Sequence, residues 1–234
     1  YKSAAKLLYY YKIEMTSEER KIGKLIESFR KQIPDLLGEE KLKTFTSPHS
    51  DTFVLQDNSN HAVPGDFRAS HIRDVAKTGS GIFKGLILRR LIEGTGKKKI
   101  LELGTNTGFG SSYLASVDGV ELVTIEGSKE LCEIAKKNIS RVSNNYKIMN
   151  CLFDEAIDQL LAKEEKFDCV FIDGQHEREA TIHYTNRLHP LMRENSLYVY
   201  DDIYWSDDMN QAWKELCQFP IFSTGLDLQF VGVL

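Results

Sequence analysis

The rhythm of hydrophobic positions changes twice along the chain. Between Ser17 and Ile33, residues Ile22, Leu25, Ile26 and Phe29 recur every three or four positions among charged neighbours. That spacing predicts an amphipathic helix, which Pro34 stops. From Gly38 to about Phe67 the pattern dissolves into polar stretches such as Ser47-Pro48-His49-Ser50 and Asp57-Asn58-Ser59-Asn60. A long irregular connection of the lid or linker kind is predicted there. A helical period then returns at Ile82, Leu86, Ile87 and Leu91, and Gly94-Thr95-Gly96 ends it.

Beyond Gly96, apolar runs of strand length alternate with amphipathic stretches of helix length. Strands are predicted over 99–103, 120–125, 146–149, 167–172 and 197–200, with helices at about 109–117, 129–142, 154–163, 177–192 and 205–217. Alternating β and α units imply a parallel sheet covered on both faces. Residues 219–234 read as two strands around Gly225, a hairpin that closes the sheet. The fold class is therefore α/β: a Rossmann-like, mostly parallel sheet of seven strands, a C-terminal antiparallel hairpin and a helical N-terminal cap. The predicted division is a cap and loop over 1–65 and a catalytic domain over 66–234, with the cap lying over the acceptor side. In such sheets ligands bind outside the carboxyl ends of the strands, near the point where strand order reverses.

Composition narrows the partners. A chain of 234 residues, 41% hydrophobic and 27% charged, suits one globular domain with an appendage. Its net charge of −4 lacks the basic footprint of nucleic-acid binders, and Lys97-Lys98-Lys99 reads as a solvated turn. No apolar run reaches membrane-span length and no signal peptide is visible, so cytoplasm is the expected compartment. The four cysteines (Cys132, Cys151, Cys169, Cys217) form no C-x-x-C pair and are expected to be reduced thiols. The Asn138-Ile139-Ser140 sequon falls in a predicted helix and is read as silent.

The chemistry begins at Ile100-Leu101-Glu102-Leu103-Gly104-Thr105-Asn106-Thr107-Gly108-Phe109-Gly110. This is a strand, a glycine-rich turn and a helix start, where the backbone approaches a ligand closely and free N–H groups meet an anion. Glu102 sits inside an apolar strand, so its carboxylate is expected to face a ligand cation or a donor-rich pocket. The next strand ends in Glu126, placed to accept from ribose hydroxyls or to act as a helix N-terminal charge. The glycines at 104, 108 and 110 miss the G-x-G-x-x-G spacing, and Gly96-Lys97 is no P-loop.

The run ELGTNTGFGSSYLA followed by VTIEGS resembles the first two motifs of the class I S-adenosylmethionine-dependent methyltransferases, over roughly residues 80–234. The resemblance implies that Glu102, Gly104 and Gly108 hold the methionine part of S-adenosylmethionine and that Glu126 holds the ribose. It extends the cofactor set to Ser80, Gly81, Thr105, Asn106, Ser111, Gly127 and Asp173, with Ser80-Gly81 and Lys84-Gly85 covering the methionine end.

The fourth and fifth predicted strands end in Asp173-Gly174-Gln175-His176 and Asp201-Asp202. Neighbouring parallel strands would bring Asp173, Asp201 and Asp202 together, and converging carboxylates repel unless a cation lies between them. Oxygen ligands suit Mg²⁺ or another hard divalent ion. Alternatively, Asp201 or Asp202 caps the next helix. This end of the site resembles the catechol and caffeoyl-CoA type O-methyltransferases, and its tandem acids resemble the broader small-molecule group. Asp173 and His176 are the expected catalytic pair, with His176 as base or else a packing or capping residue. Tyr204 and Trp205 are expected in the core, or else as walls of an acceptor pocket. His71 and Arg73 are read as surface residues more readily than as an acceptor loop.

The implied reaction is O-methylation of a small-molecule acceptor, and a homodimer is left open. The rivals are a NAD-linked oxidoreductase, which Glu126 would also suit, and a catalytically silent cofactor-binding module. Nucleic-acid amine methylation needs an Asn/Asp-Pro-Pro-aromatic tetrapeptide where this chain has Asp173-Gly174-Gln175-His176.

Overall fold

The computed structural model describes residues 14–37, 41–45, 67–71, 77 and 79–234. Helix α1 (Ser17–Leu37) is followed by β1 (Lys41–Phe45) and β2 (Phe67–His71), which pair antiparallel from Lys41 opposite His71 to Phe45 opposite Phe67. Helix α2 (Ile82–Thr95) then leads into the alternating region: β3 (Lys99–Leu103), α3 (Phe109–Ala115), β4 (Glu121–Ile125), α4 (Lys129–Ile139), β5 (Tyr146–Met149), α5 (Phe153–Ala162), β6 (Phe167–Ile172), α6 (Arg178–Leu188), β7 (Met192–Asp201), α7 (Asp207–Leu216), β8 (Leu226–Asp227) and β9 (Val231–Val233).

The main sheet has the order β5-β4-β3-β6-β7-β9-β8. Strands β3 to β7 are mutually parallel, while β9 runs antiparallel to both β7 and β8. The chain winds outward from β3 to β5 and then returns to lay β6 against the other side of β3, so strand order reverses between β3 and β6. Leu103 pairs with Ile125 and Ile172, and Ile172 pairs with Tyr200. The four strands thus end level, and Gly104, Glu126, Asp173 and Asp201 follow on one edge.

Alternate residues of each strand point to opposite faces, and both faces are apolar. On one face Leu101, Leu103, Val170, Ile172 and Tyr200 pack against α5, α6 and α7; on the other Ile100, Leu122, Cys169 and Phe171 pack against α2, α3 and α4. Helix α1 forms a further layer. Its Ile26, Phe29 and Ile33 bury against Leu86 of α2, Phe109 and Tyr113 of α3, and Leu131 and Ile134 of α4.

Several boundaries differ from those predicted. Helix α1 passes Pro34 and ends at Leu37, because the one N–H that Pro34 lacks falls near the helix end, where few bonds remain to lose. The region expected to be irregular contains β1, while the polar stretches over 46–66 lie outside the described residues. Strand β7 starts at Met192, five residues before the expected apolar run. A register shift opposite Phe167–Cys169 and a positive φ of 57° at Asn195 accommodate its polar first half. The final hairpin turns at 228–230 instead of around Gly225, with Gln229 at φ 73° and Leu228 N–H bonded to Val231 O at 2.9 Å. Among the described residues, no helix is long and apolar enough to cross a membrane. All four cysteines are free, and the sequon's Asn138 is fully buried, donating through Nδ2 to Thr107 O at 3.2 Å.

Candidate active site

The turn after β3 is shaped by contact. Gly104 has φ 97°, and a Cβ there would lie 1.9 Å from Asp173 O; Gly108 has φ 78° and would press on Ala135 at 2.9 Å. Only glycine fits either position. The Gly104 and Thr105 N–H groups bond Ile125 O at 3.1 Å, and Asp173 N–H bonds Leu103 O at 2.9 Å. These bonds fasten the turn to the ends of β4 and β6.

Glu102 is 1% exposed and faces donors of its own chain. Its Oε2 accepts from Ser111 Oγ and from Thr124 Oγ1, the latter at 2.7 Å, and Thr124 is its register partner on β4. Burial pushes the Glu102 carboxyl up to about 7, although both hydroxyls oppose the shift. Its Oε1 flanks Gly110 together with Ser80 Oγ, a wholly buried hydroxyl with no hydrogen-bond partner. A buried acid and an unpaired hydroxyl thus flank a side-chain-free Cα, a polar spot inside the fold.

Glu126 fastens the next part of the edge. Its Oε2 accepts from Asn106 N–H at 2.8 Å and its Oε1 from Ser128 N–H at 2.9 Å. Gly127 N–H adds to this backbone grip, which opposes the upward push of burial on the carboxyl. The helix cap is Ser128, whose Oγ accepts from Leu131 N–H. Glu126 is therefore both held at a helix start and turned toward the Asn106 turn.

At the reaction end, His176 Nε2 lies 3.6 Å from Asp173 Oδ1, and both side chains are under one-fifth exposed. Burial raises the Asp173 carboxyl to about 6 against the opposing pull of Lys84. Asp173 and Asp201 face each other as a carboxyl pair; burial and the Asp173 charge push Asp201 well above its ordinary range. Asp201 is 2% exposed, and its Oδ1 has no hydrogen-bond donor.

The three acids do converge, but on a lysine. Lys84 Nζ, from the first turn of α2, lies 2.6 Å from Asp201 Oδ2 and 3.4 Å from Asp202 Oδ1. Burial alone would lower the Lys84 ammonium; Asp201, Asp173 and Asp202 together raise it instead. Lys84 thus joins the acid cluster at the ends of β6 and β7. Among the described residues, no group of three or more His, Cys, Asp or Glu side chains is placed to hold a metal ion. As arranged, the donor set does not fit a divalent cation, because an ammonium already occupies it. Nor do Asp201 and Asp202 cap α7: that cap is Ser206, whose Oγ accepts from Met209 N–H at 3.1 Å.

Tyr204 and Trp205 are not core residues, being 55% and 49% exposed just past Asp202. Tyr204 OH donates to Asp227 Oδ2 at 2.6 Å. His71 ends β2, and its side chain and Arg73 lie outside the described residues. The periodicities gave no sign of Arg30. Its Nη2 donates to Ser80 O at 2.7 Å and its guanidinium stacks 3.6 Å over the Phe109 ring, so α1 touches the turn that holds Ser80.

Strand order and the level acid-bearing edge define a Rossmann-like α/β fold. A family model described as "Methyltransferase domain" matches residues 101–203, from within β3 to just past β7. Caffeoyl-CoA O-methyltransferase 2 from Zea mays is 28% identical over 133 residues, covering 53% of this chain and 48% of that protein. The chain spans about half the length of the curated relatives it matches. Among solved structures, an O-methyltransferase from Bacillus cereus in complex with SAH aligns at TM-score 0.58 and 23% identity, covering 68% of this chain and 82% of that one. An SAH-bound methyltransferase from Podospora anserina aligns at TM-score 0.57 and 18% identity, covering 68% and 80%. The resemblance read from the motifs at 102–128 is borne out, and nothing found supports the nicotinamide alternative.

Proposed function

We propose that the protein transfers a methyl group from S-adenosylmethionine to an oxygen of a small-molecule acceptor. One observation carries the reading: the Gly104 turn, the Ser80–Glu102 cradle and Glu126 lie on the same sheet edge as the Asp173–His176 pair. The residues fit the cofactor. Glu102 and Ser80 would hold its amino-acid end, the Gly104–Gly108 turn would pass under it, and Glu126 would accept from the ribose hydroxyls. When bound, S-adenosylmethionine supplies an electrophilic methyl on a sulfonium.

The protein's own share is alignment and proton removal. With the ring proton on Nε2 facing Asp173, His176 Nδ1 takes the proton of the acceptor hydroxyl. The Asp173 carboxylate then stabilises the imidazolium, as an orienting acid does for a base. Tyr204 and Trp205 offer flat apolar walls for the acceptor. The O-methyltransferase relatives support oxygen as the methylated atom, and four free thiols suit a reducing compartment such as cytoplasm.

Calorimetric titration with S-adenosylhomocysteine and with NAD tests the reading. S-adenosylhomocysteine is expected to bind, and Glu126→Ala to weaken it by roughly tenfold, the loss of one or two good hydrogen bonds to a charged group. Binding of NAD with no affinity for S-adenosylhomocysteine would overturn it. Mass-spectrometric screening of acceptor libraries then identifies the substrate.

A further inference from the structure

The acid cluster at the ends of β6 and β7 has a cation built into the chain. Lys84 reaches it from the first turn of α2, contacts both tandem acids, and is about four-fifths buried; its partner Asp201 is almost wholly so. We propose that Lys84 is the resident cation of this site, a positioning residue that holds Asp201 and Asp202 against Asp173 and makes methyl transfer independent of a divalent metal. The turnover part of this proposal rests on the methyltransferase reading; the metal-binding part does not.

Geometry and charge carry it. A hard divalent ion needs carboxylate oxygens at about 2.0–2.6 Å. Asp201 Oδ2 already has the ammonium at 2.6 Å, and Asp202 Oδ1 has it at 3.4 Å. A metal bound to these oxygens would stand at contact distance from a like charge with little water between them. It could enter only if Lys84 left a buried pair, exposing both partners to the cost of separation. The neighbours support the same assignment. His176 faces Asp173 and Ser206 caps α7, while Lys84 is the cationic side chain that contacts both Asp201 and Asp202. Asp201 is itself buried, and its carboxyl faces that of Asp173. Lys84 thus holds the three acids together as one cluster.

The decisive experiment measures Mn²⁺ binding to the whole chain by electron paramagnetic resonance and calorimetry, with no substrate present. Wild type is expected to bind Mn²⁺ only weakly. Lys84→Met should bind it about tenfold or more tightly, because a like charge has been removed from the site, and adding Asp201→Asn should cancel that gain. Lys84→Arg, which keeps the charge, should stay weak, and Lys84→Gln replaces Lys84→Met if the latter does not fold. Tight Mn²⁺ binding by wild type that Asp201→Asn abolishes, with no gain in Lys84→Met or Lys84→Gln, would overturn the proposal. Once an acceptor is known, EDTA-treated wild type should keep its turnover, whereas Lys84→Met should lose it and regain part with Mg²⁺ or Mn²⁺. Loss of wild-type turnover on verified metal removal, restored by Mg²⁺, would overturn the metal-independence claim. Failure to bind S-adenosylhomocysteine would instead sink the methyltransferase reading and leave the Mn²⁺ comparison standing.

Discussion

Glu102 is a carboxylate enclosed by protein, and its cost should be measurable. Its folded-state pKa is raised from 4.5 to about 7 by burial. A raised acid contributes stability that is fully present below pH 4.5 and is lost as pH climbs through 7. The loss amounts to about 3 kcal/mol at one pH unit per 1.4 kcal/mol. Glu102→Gln keeps an oxygen for the Ser111 and Thr124 hydroxyls without the charge. Urea denaturation from pH 4 to 8 should therefore show a flatter profile for the variant and higher stability than wild type at pH 8. Parallel profiles would refute this account. The same variant should bind S-adenosylhomocysteine more weakly, since an amide offers no charge to the cofactor's ammonium. At this scale the sequence was informative about the acid and silent about its donors. An acid in an apolar strand is conspicuous by composition, whereas Thr124 becomes its partner only through the register of β3 with β4.

Helix α1 shows what an element needs in order to dock. Thr16 and Glu19 form a capping box: Thr16 N–H donates to Glu19 Oε2 at 2.7 Å and Glu19 N–H to Thr16 Oγ1 at 3.1 Å. The same carboxylate accepts from Arg90 of α2 through Nε and Nη2, at 2.5 and 2.8 Å. One residue therefore caps the start of the helix and ties it to the next layer. Arg90 holds the Glu19 carboxyl down to about 2, so its stabilising share is present above pH 4.5 and is lost as pH falls toward 2. Glu19→Gln should cost about 2 kcal/mol at pH 7 and much less at pH 2.5, read from urea midpoints at both values. An equal cost at both values would mean that the charge of Glu19 contributes nothing to holding the helix, and no cost at either would leave the packing of Ile26, Phe29 and Ile33 to hold it alone. The amphipathic period and the T-x-x-E cap are local patterns and could be read directly. The alignment of Arg90 with Glu19, 71 residues apart in sequence, could not.

Across the whole molecule, α1 lies over α2, α3 and α4 and reaches the Ser80 turn through Arg30. The Arg30 contact ties α1 to the turn proposed to hold the cofactor, and the sequence suggested that the cap also lies over the acceptor side. Arg30→Ala should weaken S-adenosylhomocysteine binding in calorimetry by a few-fold, the scale of one charge-assisted hydrogen bond, and leave acceptor KM nearly unchanged. A change in acceptor KM alone would return the cap to the acceptor side. By itself the sequence determined the alternating fold, the glycine turn and the acids that end the strands. Each of these is written in short windows, as a period of two or of 3.6, a residue able to take positive φ, or a charge interrupting an apolar run. Only the tertiary structure decided what the acids face. Lys84 and Asp201 stand 117 residues apart, on elements that meet only after the chain has wound outward from β3, returned to β6 and brought β7 alongside. Local pattern carries no record of such a meeting, because the charge that completes the cluster arrives from a helix formed before the first strand of the sheet.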